Sequence, residues 1–214
     1  MRILTTAAIL LVLVSGSALA SDNVFLYDFC GNVWEVGDFG QMGSTAYSVG
    51  VLGNLGSFLD RAPGCTWTYY MSNMVSSSAV KNGSVWTVCY SGGEVEIHED
   101  CVNNPPFDYG TTTPPNATSP SSFLDGPTIL HGTLSNFCIT IDILTGEGSF
   151  TCDALFDGGD QYDQLPTSLA FTSSTTFNRD HAPGYQHFSC GETELMIVAP
   201  VEPTTWGAVK ALYR

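Results

Sequence analysis

The chain has 214 residues and carries 6 lysines and arginines against 21 aspartates and glutamates, a formal net charge of −15. Nucleic acids and anionic membrane surfaces repel so acidic a chain, which excludes both as expected partners. The length suits one ordinary domain. With 22 glycines, 11 prolines and few of the usual helix-forming residues, the composition favours β structure with many turns.

The N-terminus has the pattern of a secretory leader. Arg2 is followed by an apolar stretch over 9–14 and by the small residues Ala18-Leu19-Ala20. We therefore predict a signal peptide over 1–20 and an extracellular or cell-surface location for the rest. The apolar stretch is too short for a spanning helix, so no transmembrane span is expected in the mature chain.

Seven cysteines follow the leader, and none has the spacing of a zinc site or a CxxC motif. In an exported chain they are expected to form three disulfides and leave one cysteine unpaired. The sequence does not fix the connectivity. The candidates are Cys30, Cys65, Cys89, Cys101, Cys138, Cys152 and Cys190.

Period-two alternation predicts strands along the first half of the chain. Weak candidates span 24–29 and 47–52, and stronger ones span 66–71, 85–90 and 94–98. Ser91-Gly92-Gly93 predicts a turn, so the last two segments are expected to form a hairpin.

The segment 103–122 contains five prolines among Asn, Thr and Ser, which predicts either a domain linker or a long exposed loop. We favour the loop, because each flank alone would have a thin core. The expected arrangement is thus one domain over 21–199 and a C-terminal tail over 200–214.

A second hairpin is expected over 137–156, where apolar residues alternate on both sides of a glycine-containing turn. Cys152 lies on the apolar side of this pattern and Cys138 on the polar side. We therefore predict different partners for these two cysteines.

Further strands are predicted over 168–172 and 194–198, and a short helix is possible over 206–213. The predicted fold is all-β, an antiparallel sandwich or jelly roll with disulfides and little helix.

Three glutamates in GEVEIHED form the strongest enzymatic candidate. The segment resembles the E-x-D-x-x-E strand of laminarinase-like glycoside hydrolases. The resemblance implies Glu94 as nucleophile, Glu99 as acid/base and Glu96 as an orienting carboxylate. A retaining mechanism of this kind needs its two carboxylates about 5–5.5 Å apart. The alternative is that these charges lie on the solvated face of a strand.

Two further sets of residues could bind ligands. Four aspartates around a Gly-Gly pair could supply oxygen ligands to calcium, or could be solvated turn residues. Four aromatic residues on predicted strands could stack on sugars, or could be core residues. The aspartates are Asp153, Asp157, Asp160 and Asp163, and the aromatic residues are Trp67, Tyr69, Trp86 and Tyr90.

Between Cys65 and Cys190 the chain resembles an uncharacterised group of secreted bacterial β-rich proteins. The resemblance rests on YSGGEVEIHED, PPNATSPSSFLDGPTILHGTLSNF, DILTGEGSF and APGYQHF. Members of the group often carry C-terminal sorting tails, and the segment 200–206 resembles the start of one, with Val201 as a departure. The resemblance implies secretion and β architecture but no reaction.

These observations predict a secreted, non-catalytic extracellular or cell-surface module that binds a glycan or a matrix component. The alternative is a glycoside hydrolase that uses Glu94 and Glu99. No cofactor is expected apart from a calcium ion at the aspartates.

Overall fold

A computed structural model describes residues 22–101, 107–110, 121–177 and 181–197. The predicted leader, most of the proline-rich segment, the C-terminal tail and the possible terminal helix lie outside these residues. Residues Asn23–Ile197 form one compact unit.

Nine antiparallel strands make up the described chain, which confirms the prediction of an all-β antiparallel fold. Two short 3₁₀ helices, Ser121–Phe123 and Tyr162–Gln164, are the only helical segments among the described residues. None of the helices in this part of the chain has the length and hydropathy needed to cross a membrane. The strands are β1 (Asp22–Val36), β2 (Thr45–Leu55), β3 (Thr66–Asn82), β4 (Val85–Ser91), β5 (Glu94–Asp100), β6 (Thr128–Asp142), β7 (Glu147–Gly158), β8 (Leu169–Phe177) and β9 (His187–Ile197).

The strand pairings run in a closed circuit. Strand β1 pairs with β2 and β9, β2 also pairs with β3, and β6 to β9 follow in chain order. Strands β4 and β5 lie end to end between β3 and β6, and both pair with each of these neighbours. The finer expectation of a sandwich or jelly roll stays a prediction.

The predicted hairpin between 85–90 and 94–98 is wrong. The chain does not reverse at Gly92-Gly93; it continues in the same direction along β3 and β6. Gly92 and Gly93 have φ values of 69° and 123°, and Asn73 and Asn136 on the two flanking strands also have positive φ, at 58° and 53°. Each of these positions shifts the inward and outward alternation by one residue. The glycines therefore make a kink shared by three neighbouring strands.

The predicted hairpin over 137–156 is confirmed. Ile139 pairs with Phe150 and Ile141 with Gly148 across β6 and β7. The side chains of Phe137, Ile139 and Phe150 point inward and are almost completely buried.

Aromatic rings fill the centre of the inner face. Phe29 lies 5.6 Å from Tyr69 and 5.9 Å from Phe150, measured between ring centroids. Gly31 and Gly50, a cross-strand pair on β1 and β2, lie directly beneath the Tyr69 ring, where an added Cβ would collide with it. The glycines thus make room for a large side chain on the third strand.

The cysteines form three disulfides, as predicted: Cys30–Cys190, Cys65–Cys101 and Cys89–Cys138. Cys152 is free and buried, so Cys138 and Cys152 indeed differ in their partners. Burial raises the pKa of the Cys152 thiol to about 12. The disulfides indicate that the protein resides in an oxidising environment.

Candidate functional site

Three aromatic side chains form a row on the outer face of β1, β2 and β3. Trp34 pairs directly with Tyr47 across β1 and β2. The Trp34 and Tyr47 rings lie 5.5 Å apart with planes 22° from parallel, and the Tyr47 and Tyr70 rings lie 6.3 Å apart with planes 4° from parallel. All three side chains are half-buried. We call these three residues the aromatic row.

Polar side chains continue the row across the next three strands. Glu96 on β5 lies opposite Tyr70, and His131 on β6 lies opposite Glu96. His131 Nδ1 is 2.7 Å from Asp157 Oδ1 on β7, a hydrogen-bond distance. Glu96, His131 and Asp157 are here called the polar extension. Together with the aromatic row it makes one continuous strip across six strands.

Connecting segments cover the sheet along one side of the strip. Phe123 packs over Val49, and its carbonyl oxygen accepts a 3.0 Å hydrogen bond from the Thr68 hydroxyl. The backbone N–H of Ala182 donates to Asn32 Oδ1 at 2.8 Å. Val49 lies directly opposite Tyr70, and Trp34 and Tyr70 pack against this cover, so the connecting segments border the strip.

Tyr70 joins the two halves of the strip. Burial, followed by the neighbouring Tyr47 and Glu96, raises the pKa of the Tyr70 phenol to about 12. The phenol is therefore protonated at neutral pH and can donate a hydrogen bond. Glu94, two residues before Glu96 on the same face, is exposed and accepts a 3.2 Å hydrogen bond from Asn73 Nδ2.

A second polar group lies on the inner face, at the end of the sheet covered by the β1–β2 connection. Tyr90 donates a short hydrogen bond to Glu35 Oε1, and burial raises the Glu35 pKa above its usual value. His187 is 6% exposed, and neither of its ring nitrogens has a hydrogen-bond partner among the described residues. Burial, assisted by His181, lowers the His187 pKa to about 4. Phe39 packs edge-on against the imidazole at 5.3 Å, which leaves this group enclosed.

Three of the four aromatic residues considered for sugar stacking are core residues, which corrects that interpretation. Trp67, Tyr69 and Tyr90 are at most 4% exposed and point inward. Trp86 is half-buried between Phe39, at 6.4 Å, and the Lys81 ammonium, 5.2 Å from its ring centroid. None of the four belongs to the aromatic row.

The glutamate pair of the glycosidase interpretation is divided between the two faces of β5. Glu94 lies on the outer face with Glu96, whereas Glu99 pairs with the inward-facing Trp67. Glu99 Oε1 accepts hydrogen bonds from Trp67 Nε1 at 2.7 Å and from the Ala62 N–H at 2.9 Å. Strand β5 is in continuous register with β3, so no bulge rotates Glu99 outward. Carboxylates on opposite faces of a strand cannot flank one glycosidic bond.

The four aspartates considered for calcium do not converge. Asp157 is engaged with His131, and Asp153 accepts a 2.6 Å hydrogen bond from Asn136 Nδ2. Asp160 and Asp163 are exposed in the following turn. Within the described residues, the one set of three possible metal-ligand atoms within 4.8 Å of one another is Cys65, Glu99 and Cys101, whose two sulfurs are already bonded to each other. The calcium interpretation is therefore corrected to separate surface acids.

Alternation along the sequence does not reveal the aromatic row. Trp34, Tyr47 and Tyr70 are far apart along the chain, and each has a buried neighbour of its own. A signal existed in Tyr69-Tyr70, because adjacent residues of a strand face opposite sides and one tyrosine had to point outward. Its partners depend on strand register, which only the structure gives.

No family model, no curated protein and no solved structure matches the chain. The fold and the strip are therefore the basis for any statement about function.

Proposed function

We propose that the protein is a secreted, non-catalytic extracellular or cell-surface module that binds a glycan through the aromatic row. The observation that carries the proposal is the alignment of Trp34, Tyr47 and Tyr70 on one outer face, with ring planes no more than 22° apart between neighbours. The apolar faces of sugars pack against aromatic rings, and partly exposed aromatic residues are typical of binding surfaces.

The polar extension supplies hydrogen-bonding groups, which stacking on aromatic rings does not provide. Carboxylates such as Glu96 accept hydrogen bonds from hydroxyl groups, and the Tyr70 phenol can donate one. The bordering segments anchored at Asn32 and Thr68 fix the backbone under the strip. A pre-formed surface binds with a smaller loss of conformational entropy than a mobile one.

The proposed location rests on separate observations. Three disulfides require an oxidising compartment for their formation. The leader-like segment over 1–20 provides a route out of the cytosol, and the resemblance to secreted β-rich proteins agrees with it.

The proposal is tested by retention of the mature protein on a panel of insoluble polysaccharides. We expect retention on at least one polymer, and loss of that retention in Trp34→Ala and Tyr70→Ala. Phe171→Ala is the matched control, because Phe171 is an outward, half-buried aromatic residue on β8, away from the strip. Failure of the protein to bind any polymer would contradict the proposal, as would equal losses in all three variants.

A further inference from the structure

We infer that the glycan recognised by the strip carries free amino groups, in a repeating amino-sugar polymer. This inference rests on the proposed function and adds the chemical class of the ligand. It is carried by the position of the aromatic row beside a set of carboxylates on the same outer face, where Tyr70 lies opposite Glu96.

The carboxylates of the strip have histidine or amide partners rather than lysine or arginine. Glu94, Glu96 and Asp157 contribute carboxylates on β5 and β7. Glu96 Oε2 lies 3.4 Å from His98 Nε2, and Asp157 Oδ1 lies 2.7 Å from His131 Nδ1. The one arginine and the one lysine of the described residues are both engaged elsewhere. Arg61 donates to the carbonyl oxygens of residues 52 and 53, and Lys81 lies over Trp86. Among the described residues, the partners of these carboxylates are thus Asn73, His98 and His131, with no lysine or arginine among them.

Aromatic rings beside carboxylates form a chemical environment that suits an organic ammonium group. A cation over an aromatic face is attracted by the ring, and a hydrogen bond between an ammonium and a carboxylate is roughly twice as strong as a neutral one. Tyr70 and Glu96 offer both from directly opposite positions on β3 and β5. A net charge of −15 adds long-range attraction for a cationic polymer and repulsion for uronate or sulfated polymers.

The dimensions of the strip favour a polymer over a monosaccharide. It crosses six strands, so its five gaps of about 4.8 Å give a length of about 24 Å. A single sugar could engage Tyr70 and Glu96 but could not reach Trp34 and Asp157 at the two ends of the strip. An extended chain with an amine on each unit can contact both halves at once.

The strip also suits a sugar chain better than a basic protein. It is one side chain wide and bordered by covering segments, whereas a protein partner of ordinary affinity needs about 800 Å² of surface on each side. The narrow strip, with the nearly parallel rings of the aromatic row, matches an extended, thin ligand.

The test compares soluble short-chain fragments of three polymers that share a β-linked sugar backbone: a free-amine glucosamine polymer, its N-acetylated form and a neutral glucose polymer. Affinities are measured by titration calorimetry with the mature protein, at a pH where the amines are protonated. We expect at least about tenfold tighter binding of the free-amine polymer than of the acetylated one. Raising the salt concentration should weaken only the free-amine complex.

Glu96→Gln should weaken binding of the free-amine polymer about tenfold more than binding of the acetylated polymer. Glu192→Gln is the matched control, because Glu192 is an exposed glutamate on β9 and its substitution changes the net charge equally. Trp34→Ala should weaken binding of all three polymers. Circular dichroism of each variant verifies that it is folded.

Each other outcome overturns the inference in a recognisable way. Equal affinity for the free-amine and acetylated polymers removes the amine preference while glycan binding stands. Equal effects of Glu96→Gln and Glu192→Gln assign the preference to net charge alone, and equally tight binding of polylysine assigns it to polycations in general. If no polymer binds, the proposed function fails together with the inference.

Discussion

Tyr69 and Tyr70 are neighbours in the sequence, yet they belong to different regions of the molecule. Tyr69 is 2% exposed, packs edge-on against Phe29 and shares a 3.1 Å hydrogen bond with the Ser48 hydroxyl. Tyr70 points outward, parallel to Tyr47 and opposite Glu96. Burial raises the pKa of both phenols, so ionisation does not distinguish them. The side of the sheet on which a residue lies decides whether it contributes to stability or to a binding surface.

The same division applies to the other strands. Inward positions are filled by large apolar side chains and, on β8 and β9, by paired hydroxyls such as Thr172 with Thr193 and Thr176 with Ser189. Outward positions carry the strip and the disulfides Cys30–Cys190 and Cys89–Cys138. Four experiments test this division, in order of decreasing effect.

Removal of an outward crosslink should have the largest effect on stability. The Cys30–Cys190 disulfide joins residues that are 160 positions apart in the sequence, whereas Cys65 and Cys101 are 36 positions apart. By loop-closure entropy, Cys30→Ala with Cys190→Ala should lower the free energy of unfolding by about 5 kcal/mol, and Cys65→Ala with Cys101→Ala by about 4 kcal/mol. Urea denaturation measures both. A larger loss for the shorter loop would show that chain entropy is not the main contribution.

Truncation of an inward aromatic residue should come next. Trp67 is completely buried, so Trp67→Ala should lower the free energy of unfolding by about 3–5 kcal/mol through lost burial and an unfilled cavity. Trp34→Ala is the matched change on the outer face and should cost about 1 kcal/mol. Equal losses in the two variants would contradict the assignment of the two tryptophans to opposite faces.

The buried histidine should make the protein less stable in acid. The folded state keeps His187 neutral down to a pKa of about 4, whereas the unfolded chain takes up a proton near 6.5. Stability contributed by the neutral imidazole is therefore present above pH 6.5 and is lost as the pH falls towards 4, by about 3 kcal/mol in all.

His187→Leu isolates this effect. The raised pKa of Glu35 acts in the opposite direction, because the folded protein binds that proton first, but it is present in both proteins and cancels in the difference. We expect the unfolding free energies of wild type and variant to diverge between pH 6.5 and 4. Parallel pH profiles would show that His187 is protonated in the folded state.

The smallest effect is chemical rather than energetic. Cys152 is buried with a pKa of about 12, and the other six cysteines are bonded in pairs. Without reductant, the native protein should react with no equivalent of iodoacetamide and the urea-denatured protein with one, as measured by mass spectrometry. More than one reactive thiol would show that a disulfide is missing from the isolated protein.

Local alternation predicted much of this fold. It identified the β6–β7 hairpin, and the opposite parity of Cys138 and Cys152 showed that they have different partners. Alternation failed at Gly92-Gly93, because a glycine pair permits both a reversal and a kink. The neighbouring strands decide between these outcomes, and their bulges at Asn73 and Asn136 are long-range features.

The candidate site was less predictable for the same reason. GEVEIHED shows three acids at suggestive spacing, but the direction of Glu99 depends on its pairing with Trp67. The aromatic row requires the register of three strands that are separate in the sequence. The sequence shows which aromatic residues lie on strands but not which way they point, and three of the four candidates for sugar stacking face inward.

The aligned kinks at Asn73, Gly92-Gly93 and Asn136 have a consequence for how such a chain tolerates insertions and deletions. Between the pairs Cys89–Cys138 and Glu94–Thr133, residues 90–93 lie opposite residues 134–137, so removal of Asn136 alone would leave β6 one residue shorter than its partners at the kink. A matching deletion in one adjacent strand would still leave the remaining kinked strand one residue out of register. The three irregular positions are thus coupled across space, and a change in length at one of them is compatible with the fold only when the other two change with it.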